Sequence, residues 1–310
     1  MIVVTPQADE RTLPITCNRD CGGDCPLVAV VRDGRLVAVR DNPLAGPYLH
    51  GCLRGYHVAR VIYAPDRLTK PLLRSGPRGS GAFREIPWNE ALDRVADGLA
   101  RVRDRYGPAA IMPLGSSGSC RGALHHTGAL TRRFLALFGG FTGTYGSYSS
   151  GAASYTTPFV LGNAPSGIDA ATLLYSRMIL LWGANVEDCR LGCELGARVR
   201  QARRRGVPVV VIDPRRTRTV SRMGTEWVQV RPGADAALML GVLYILVTEG
   251  LIDRPFIERV SVGFDRLERH VLGQDGTPPK APAWAEAICG TPAETIVDLA
   301  RRYAAAKPAA

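Results

Sequence analysis

Four cysteines near the start constrain this chain more than any other feature. Cys17, Cys21, Cys25 and Cys52 fall in its first sixth with the spacing Cys-x3-Cys-x3-Cys-x26-Cys, while Cys120, Cys189, Cys193 and Cys289 are scattered. A chain of 310 residues is long enough to bury its own core, so a disulfide framework is not needed to hold it. Short spacing points instead to a metal site. Four thiolates suit zinc or an iron–sulfur cluster. Zinc sites usually pair Cys-x2-Cys knuckles, which are absent, whereas three cysteines in a tight loop with a distant fourth fit a four-iron cube. Gly22, Gly23 and Pro26 let the chain wrap such a group closely. On spacing alone, zinc and unligated cysteines stay open as alternatives.

Composition narrows the class. Hydrophobic residues make up 46% and charged residues 22%, which are globular values. No stretch reaches the roughly 18 apolar residues of a membrane span; the best, Ala236–Val247, is short, flanked by Asp235 and Glu249, and reads as a buried helix. Direct membrane insertion is not expected. Neither a secretory nor a twin-arginine signal is visible, so the protein is expected in the cytoplasm, or in the periplasm or at the membrane if a leader lies outside this sequence. The formal charge is +11, and only Lys70, Lys280 and Lys307 are lysines. Arginine binds phosphate through its planar fork, so a nucleic acid or a large phosphorylated cofactor comes into view, beside the plain reading of a GC-rich genome. Nucleic-acid binding predicts clustered basic residues with interleaved aromatics or a recognition helix, and neither appears.

The organisation reads as three domains: 1–70, 71–168 and 169–310. In the first, Leu27–Val31 and Leu36–Arg40 flank Asp33-Gly34, a tight-hairpin signal. Residues 71–85, rich in Gly, Ser, Pro and Arg, read as a connector. A helix follows from about Asn89, with Leu92, Val95, Leu99 and Val102 at helical spacing. Ala109–Leu114 reads as a strand, 121–138 as a helix, and the Gly/Ser/Thr/Tyr-dense stretch 139–167 as a long functional loop. His125 and His126 point about 100° apart on that helix and read as structural. Beyond 170 strand and helix alternate: strands Met178–Trp182, Val207–Ile212 and Trp227–Val230, helices at 188–205 and Asp235–Thr248, and a last helix opened by a Thr291–Glu294 capping box. The expected fold is α/β, a small β-rich iron–sulfur domain followed by α/β domains that include a doubly wound, Rossmann-like parallel sheet. Ligands of such sheets bind at the carboxyl ends of the strands.

With these segments in place, the chain resembles the molybdopterin oxidoreductases of the dimethyl sulfoxide reductase family, most of all the catalytic subunits of the membrane-anchored type, nearly end to end but over their N-terminal portion only. Cys17-Asn18-Arg19-Asp20-Cys21-Gly22-Gly23-Asp24-Cys25-Pro26 is similar to their cluster loop and Cys52-Leu53-Arg54-Gly55 to their fourth-ligand segment. Tyr63–Leu68 and Pro87–Ala91 resemble the segments that follow. The resemblance implies a [4Fe–4S] cluster on Cys17, Cys21, Cys25 and Cys52 and a molybdenum–bis(molybdopterin guanine dinucleotide) cofactor. It places Arg54 between cluster and pterin, where many relatives carry Lys; a cation between two anionic groups is electrostatically sensible. Tyr145–Ala153 resembles the metal-ligand loop of S- and N-oxide reductases, which makes Ser149 the molybdenum ligand and Ser147 and Tyr148 its neighbours, with Ser147 standing where the look-alikes often have Asp. Trp182-Gly183-Ala184-Asn185, with Asp188, resembles a guanosine-diphosphate loop. Ile212-Asp213-Pro214-Arg215-Arg216-Thr217 resembles the guanosine-binding strand end, where Asp213 can accept from a guanine edge or ribose and Arg215 can meet phosphate. Asp235 is a further cofactor contact by resemblance and a helix N-cap by its own position. Cys189 stands where relatives have Thr; with Cys193 it lies four apart in a helical stretch and reads as structural.

The resemblance implies an enzyme that reduces an S- or N-oxide by oxygen-atom transfer, with electrons supplied through the cluster. The implied partners are the small-molecule oxide, an iron–sulfur electron-transfer subunit and a membrane anchor subunit. Two alternatives stand beside it: reduction of another oxyanion such as tetrathionate, polysulfide or selenate, and a truncated, non-catalytic iron–sulfur fragment, since family subunits are longer than this chain.

Overall fold

The computed structural model describes residues 9–17, 19, 23–114, 126–144, 146, 150–162, 167, 169–189 and 194–310. They belong to two units, 1–167 and 168–310.

The first unit opens with an antiparallel meander of β1 (Glu10–Thr16), β2 (Pro26–Arg32) and β3 (Arg35–Asp41). The β2–β3 turn is the expected one. Asp33 and Gly34 sit at φ 49° and 74°, the left-handed pair that matches strand twist in a two-residue hairpin. Leu27, Ala29, Val30 and Val39 are buried beneath it. Strand β1 is absent from the sequence reading; its Pro14 and exposed side chains give no alternating pattern, and pairing with β2 alone makes it a strand. Two short helices follow, α1 (Leu53–Tyr56) and α2 (Val58–Ile62). The Tyr63 hydroxyl accepts from Leu36 N–H at 2.9 Å and Arg35 stacks on its ring at 4.1 Å, tying the end of α2 to the hairpin.

Residues 71–85 are more than a connector. They fold back as β4 (Leu72–Arg74) against β5 (Phe83–Glu85), with Leu72 opposite Glu85; the Gly/Ser/Pro run is the loop between them. Helix α3 (Trp88–Tyr106) matches expectation in extent, yet none of its residues is buried. The strand expected over 109–114 does not form. Pro108–Ala110 is a 3-10 turn, and Ile111 pairs through its carbonyl with Thr142 N–H, 2.8 Å away, in a loop. Helix α4 spans Thr127–Leu137, and His126 is its cap, its Nδ1 accepting from Ala129 N–H at 3.0 Å; His125 lies outside the described residues. The supposed long loop 139–167 contains α5 (Gly151–Leu161). There the Thr156 and Thr157 hydroxyls return to the carbonyls of Ala152 and Ala153 at 2.9 and 2.6 Å, which lets hydroxylated residues sit inside a helix.

The second unit is built on a parallel sheet ordered β6 (Ile179–Trp182), β7 (Val209–Ile212), β8 (Glu226–Val228). All four residues of β7 are at 0% exposure, as an apolar run covered on both faces requires. Alternation along the strand splits them between two cores. Val210 and Ile212 face the layer of α8 (Asp235–Thr248), α11 (Pro282–Cys289) and α12 (Ala293–Ala305); Val209 and Val211 face α6 (Leu195–Arg204) and α7 (Arg218–Met223). Two further helices, α9 (Arg254–Val260) and α10 (Phe264–Val271), complete the unit. Residues 308–310 pair along the free edge of β6, through Leu180 N–H to Ala310 O at 2.7 Å and Ala310 N–H to Met178 O at 3.0 Å.

Three local readings are corrected. Helix α6 begins at Leu195, well after 188, because Asn185 bonds Asp188 and closes a turn through Cys189 N–H to Asn185 O at 2.8 Å; Cys189 is therefore on no helix, and Cys193 lies outside the described residues. The Thr291 capping box is not formed: its hydroxyl is spent on Gln229 O at 2.7 Å, and Ala293 N–H is satisfied by Glu286. Asp235 is the first residue of α8 rather than its cap, and its carboxylate accepts from the Trp182 indole N–H at 2.8 Å.

Candidate cofactor sites

The cysteine site is an extension of the first sheet. Where the β1–β2 ladder ends, Cys17 N–H donates to Cys25 O at 2.9 Å, so the loop bearing the first three cysteines is pinched shut at its base. Cys25 is buried; Cys17 and Cys52 are half-buried. Cys52 stands just before α1, and Tyr56 N–H closes back onto its carbonyl at 2.9 Å. Two glycines let this helix approach. A Cβ on Gly55 would lie 3.5 Å from Cys17 Sγ and 3.3 Å from Leu27 Cδ1, which seats the Cys52 helix against the Cys17 end of the loop. A Cβ on Gly51 would meet the Tyr56 ring at 2.5 Å and Leu27 Cδ2 at 2.9 Å. Gly51→Ala should therefore destabilise this unit by about 1–3 kcal/mol, read from urea unfolding; wild-type stability would show that the packing is looser than drawn.

The end of β3 supports the same segment. The Asp41 carboxylate accepts from Gly51 N–H and the Tyr56 hydroxyl, both at 2.7 Å, and faces His50 Nδ1 at 3.2 Å. Burial pushes this carboxyl up, but the Gly51, Tyr56 and His50 donors outweigh it and hold the group below the usual carboxylate range. Asp41 escaped the sequence reading because an Asp before Asn-Pro looks like a turn residue.

The donor set fits an iron–sulfur cube. Among the described residues no three His, Cys, Asp or Glu side chains converge on one metal ion. A cube takes one thiolate at each iron, whereas mononuclear zinc gathers its thiolates about 2.3 Å from a single ion. Within the same loop the Nε of Arg19 is buried with no acceptor, and cluster sulfurs are acceptors. Cys21 lies outside the described residues. Arg54 is on α1, exposed, two residues beyond Cys52.

The second site lies along the carboxyl edge of the parallel sheet. Gly183 leaves β6 at φ 63° and donates to Ile212 O at 2.8 Å; Asp213 leaves β7 and donates to Val228 O at 3.2 Å. These bonds bring the ends of β6, β7 and β8 together. Asp213 is buried. One of its carboxylate oxygens, Oδ1, accepts from Arg215 N–H at 2.8 Å, and its carbonyl accepts from the Trp227 indole at 2.8 Å. The carboxylate is thus held rigid at the strand end, while the Arg215 side chain is exposed.

The loop after β6 is braced from α7. Thr219, fully buried, donates to Asn185 Oδ1 at 2.8 Å and accepts from Glu187 N–H at 3.0 Å. Asn185 Nδ2 in turn meets Asp188 at 3.1 Å, and Asp188 pairs with Arg218 at 3.3 Å. Gly183, Asn185, Asp188, Asp213, Arg215 and Asp235 therefore share one edge. Sequence reasoning missed Thr219, whose only signal is its place two residues after Thr217 in the strand-end motif. Ser147, Tyr148 and Ser149 lie outside the described residues; a cavity of about 510 Å³ is lined by Leu114, Thr127, Thr131, Arg132 and Thr144.

Two family models match most of the chain. Residues 10–64 match the model of the molybdopterin oxidoreductase Fe4S4 domain and residues 67–296 that of molybdopterin oxidoreductase. Dimethyl sulfoxide reductase DmsA of Escherichia coli is 33% identical over 99% of this chain and 41% of its own length. The dimethyl sulfoxide/trimethylamine N-oxide reductase of Rhodobacter capsulatus is 34% identical over 89% of the chain and 36% of its own. Among solved structures, acetylene hydratase from Pelobacter acetylenicus matches with a TM-score of 0.68 and 25% identity over 96% of this chain and 39% of that one. The chain thus spans about 40% of the length of the curated relatives it matches. With a family model covering most of its length on the fold and strand ends just described, the chain belongs to the molybdopterin oxidoreductases and carries their Fe4S4 domain.

Proposed function

We propose that this chain is the cluster-bearing and cofactor-gripping part of a molybdenum enzyme that reduces an S-oxide or N-oxide. The observation that carries the reading is the shared carboxyl edge of β6 and β7, where Asp213 and the Asn185 loop present a fixed carboxylate and exposed Arg215 beside it. That pairing suits a guanosine diphosphate arm: Asp213 accepts from the guanine or ribose, and Arg215 meets phosphate. When bound, the molybdenum cofactor supplies oxygen-atom transfer and the cluster supplies single electrons. The protein's own residues bind, orient and insulate. Cys17, Cys21, Cys25 and Cys52 would hold the cluster, Arg54 would set a positive charge beside it, and Ser149 would offer its oxygen to molybdenum, with Ser147 and Tyr148 as further cofactor contacts. The oxide specificity rests on serine at 149, a harder ligand than cysteine. The names of the relatives support dimethyl sulfoxide or trimethylamine N-oxide as first substrates to try. An iron–sulfur electron-transfer subunit and a membrane anchor are the proposed partners.

Ser149→Ala tests the assignment. In the protein that carries this sequence, viologen-coupled reduction of either oxide should fall at least a hundredfold while iron per chain is unchanged. Undiminished turnover would remove Ser149 from the site.

A further inference from the structure

Asp41 touches no proposed ligand, yet it holds the chain on both sides of one. Its Oδ1 takes the Gly51 N–H, one residue before Cys52, and the Tyr56 hydroxyl, four residues after it, each at 2.7 Å. Between these two anchors Tyr56 N–H returns to Cys52 O at 2.9 Å. The Tyr56 ring lies so close to Gly51 that no Cβ fits between them, and Leu27 of β2, at 1% exposure, closes the other side. Cys52 is therefore enclosed by a ring of contacts that starts and ends at one carboxylate. That carboxylate terminates β3, which pairs with β2; β2 pairs with β1; and β1 and β2 carry Cys17 and Cys25 at their joined ends. Beside the packing of Gly55 on Cys17 and Leu27, a hydrogen-bonded path from the fourth cysteine back to the first and third thus runs through backbone ladders and through Asp41.

We propose that Asp41 is a positioning residue for the cluster: by gripping Gly51 and Tyr56 it holds the Cys52 thiolate in register with the cysteines borne by β1 and β2. The inference rests on the cluster reading of these cysteines. Cluster stability and electronic structure depend on how the thiolates are held and on the surrounding hydrogen bonds, so Asp41 should act on both without touching iron.

The test compares wild type, Asp41→Ala, Asp41→Asn and Tyr56→Phe in the whole protein carrying this sequence, purified anaerobically. Three quantities are read: iron and labile sulfide per chain, the rate of iron release to a ferrous chelator, and the electron paramagnetic resonance spectrum of the dithionite-reduced protein. Asp41→Ala should release iron at least tenfold faster and show altered g values. Asp41→Asn keeps an oxygen where Oδ1 stood and should return both to within threefold of wild type and to its g values. Tyr56→Phe, which keeps the ring over Gly51 but loses one of the two bonds, should fall between. A purely structural role would lower the melting temperature of Asp41→Ala without moving the g values of the cluster that remains, and that result would overturn the proposal. So would wild-type release and spectrum in Asp41→Ala or, should that variant not fold, in Tyr56→Phe. A wild-type protein without a four-iron spectrum would instead overturn the cluster reading, and the proposal with it.

Discussion

Replacing Cys52 with serine is expected to cost the protein its intact cluster while leaving the first sheet folded. The four thiolates are unequal in their support. Cys17 and Cys25 sit at the pinched base of a loop whose two ends are already joined by a strand ladder. Cys52 arrives from a separate segment and is the only described thiolate that joins that segment to the loop. Without it three thiolates remain for four irons, and serine's oxygen is a harder, more basic ligand than sulfur. Iron should fall from about four to three or fewer per chain, with the spectrum of the oxidised protein passing to that of a three-iron cluster. The β1–β3 meander should survive, because its ladders run the length of all three strands and Ala29, Val30 and Val39 are buried on them. Four irons and an unchanged spectrum in this variant would remove Cys52 from the ligand set.

The second large effect is expected at Asp213. A hydrogen bond from a neutral donor to a carboxylate contributes about 1.5–3 kcal/mol, so Asp213→Ala should weaken binding of guanosine diphosphate roughly 10- to 150-fold. Asp213→Asn keeps the Oδ1 that accepts from Arg215 N–H at 2.8 Å and isolates the loss of charge from the loss of the loop. Binding can be followed by tryptophan fluorescence, since the Trp227 indole bonds the Asp213 carbonyl at 2.8 Å. Equal affinity in wild type and Asp213→Ala would place the nucleotide elsewhere.

The parts of this fold that were legible are those in which local pattern and burial agree. Four consecutive β-branched residues at 209–212 can only be a strand covered on both faces, and they are. Asp33-Gly34 prescribes its own turn. The errors fall where tertiary bonds overrule local preference. Thr291 and Glu294 spell a capping box, but a carbonyl of Gln229 lies within reach of the threonine hydroxyl and wins it. Residues 151–161 look like loop because small hydroxylated residues usually are, yet they are helix, with the Thr156 and Thr157 hydroxyls accommodated by bonds to carbonyls of the preceding turn. Strand β1 carries no pattern of its own and is made by its partner. In the candidate sites, the residues proposed to meet a ligand stand out by type and spacing: cysteines in a loop, an Asp-Pro-Arg at a strand end. Those that hold them did not. Asp41 and Thr219 are ordinary residues whose importance comes from what lies across from them, 10 and 34 positions away in the chain.

The most direct test of the whole account is the metal content of this chain purified under strict anaerobiosis, with iron, labile sulfide and zinc measured on the same sample. About four irons and four sulfides per chain and a spin-half spectrum on reduction are expected; one zinc per chain with no iron would rule out the cluster.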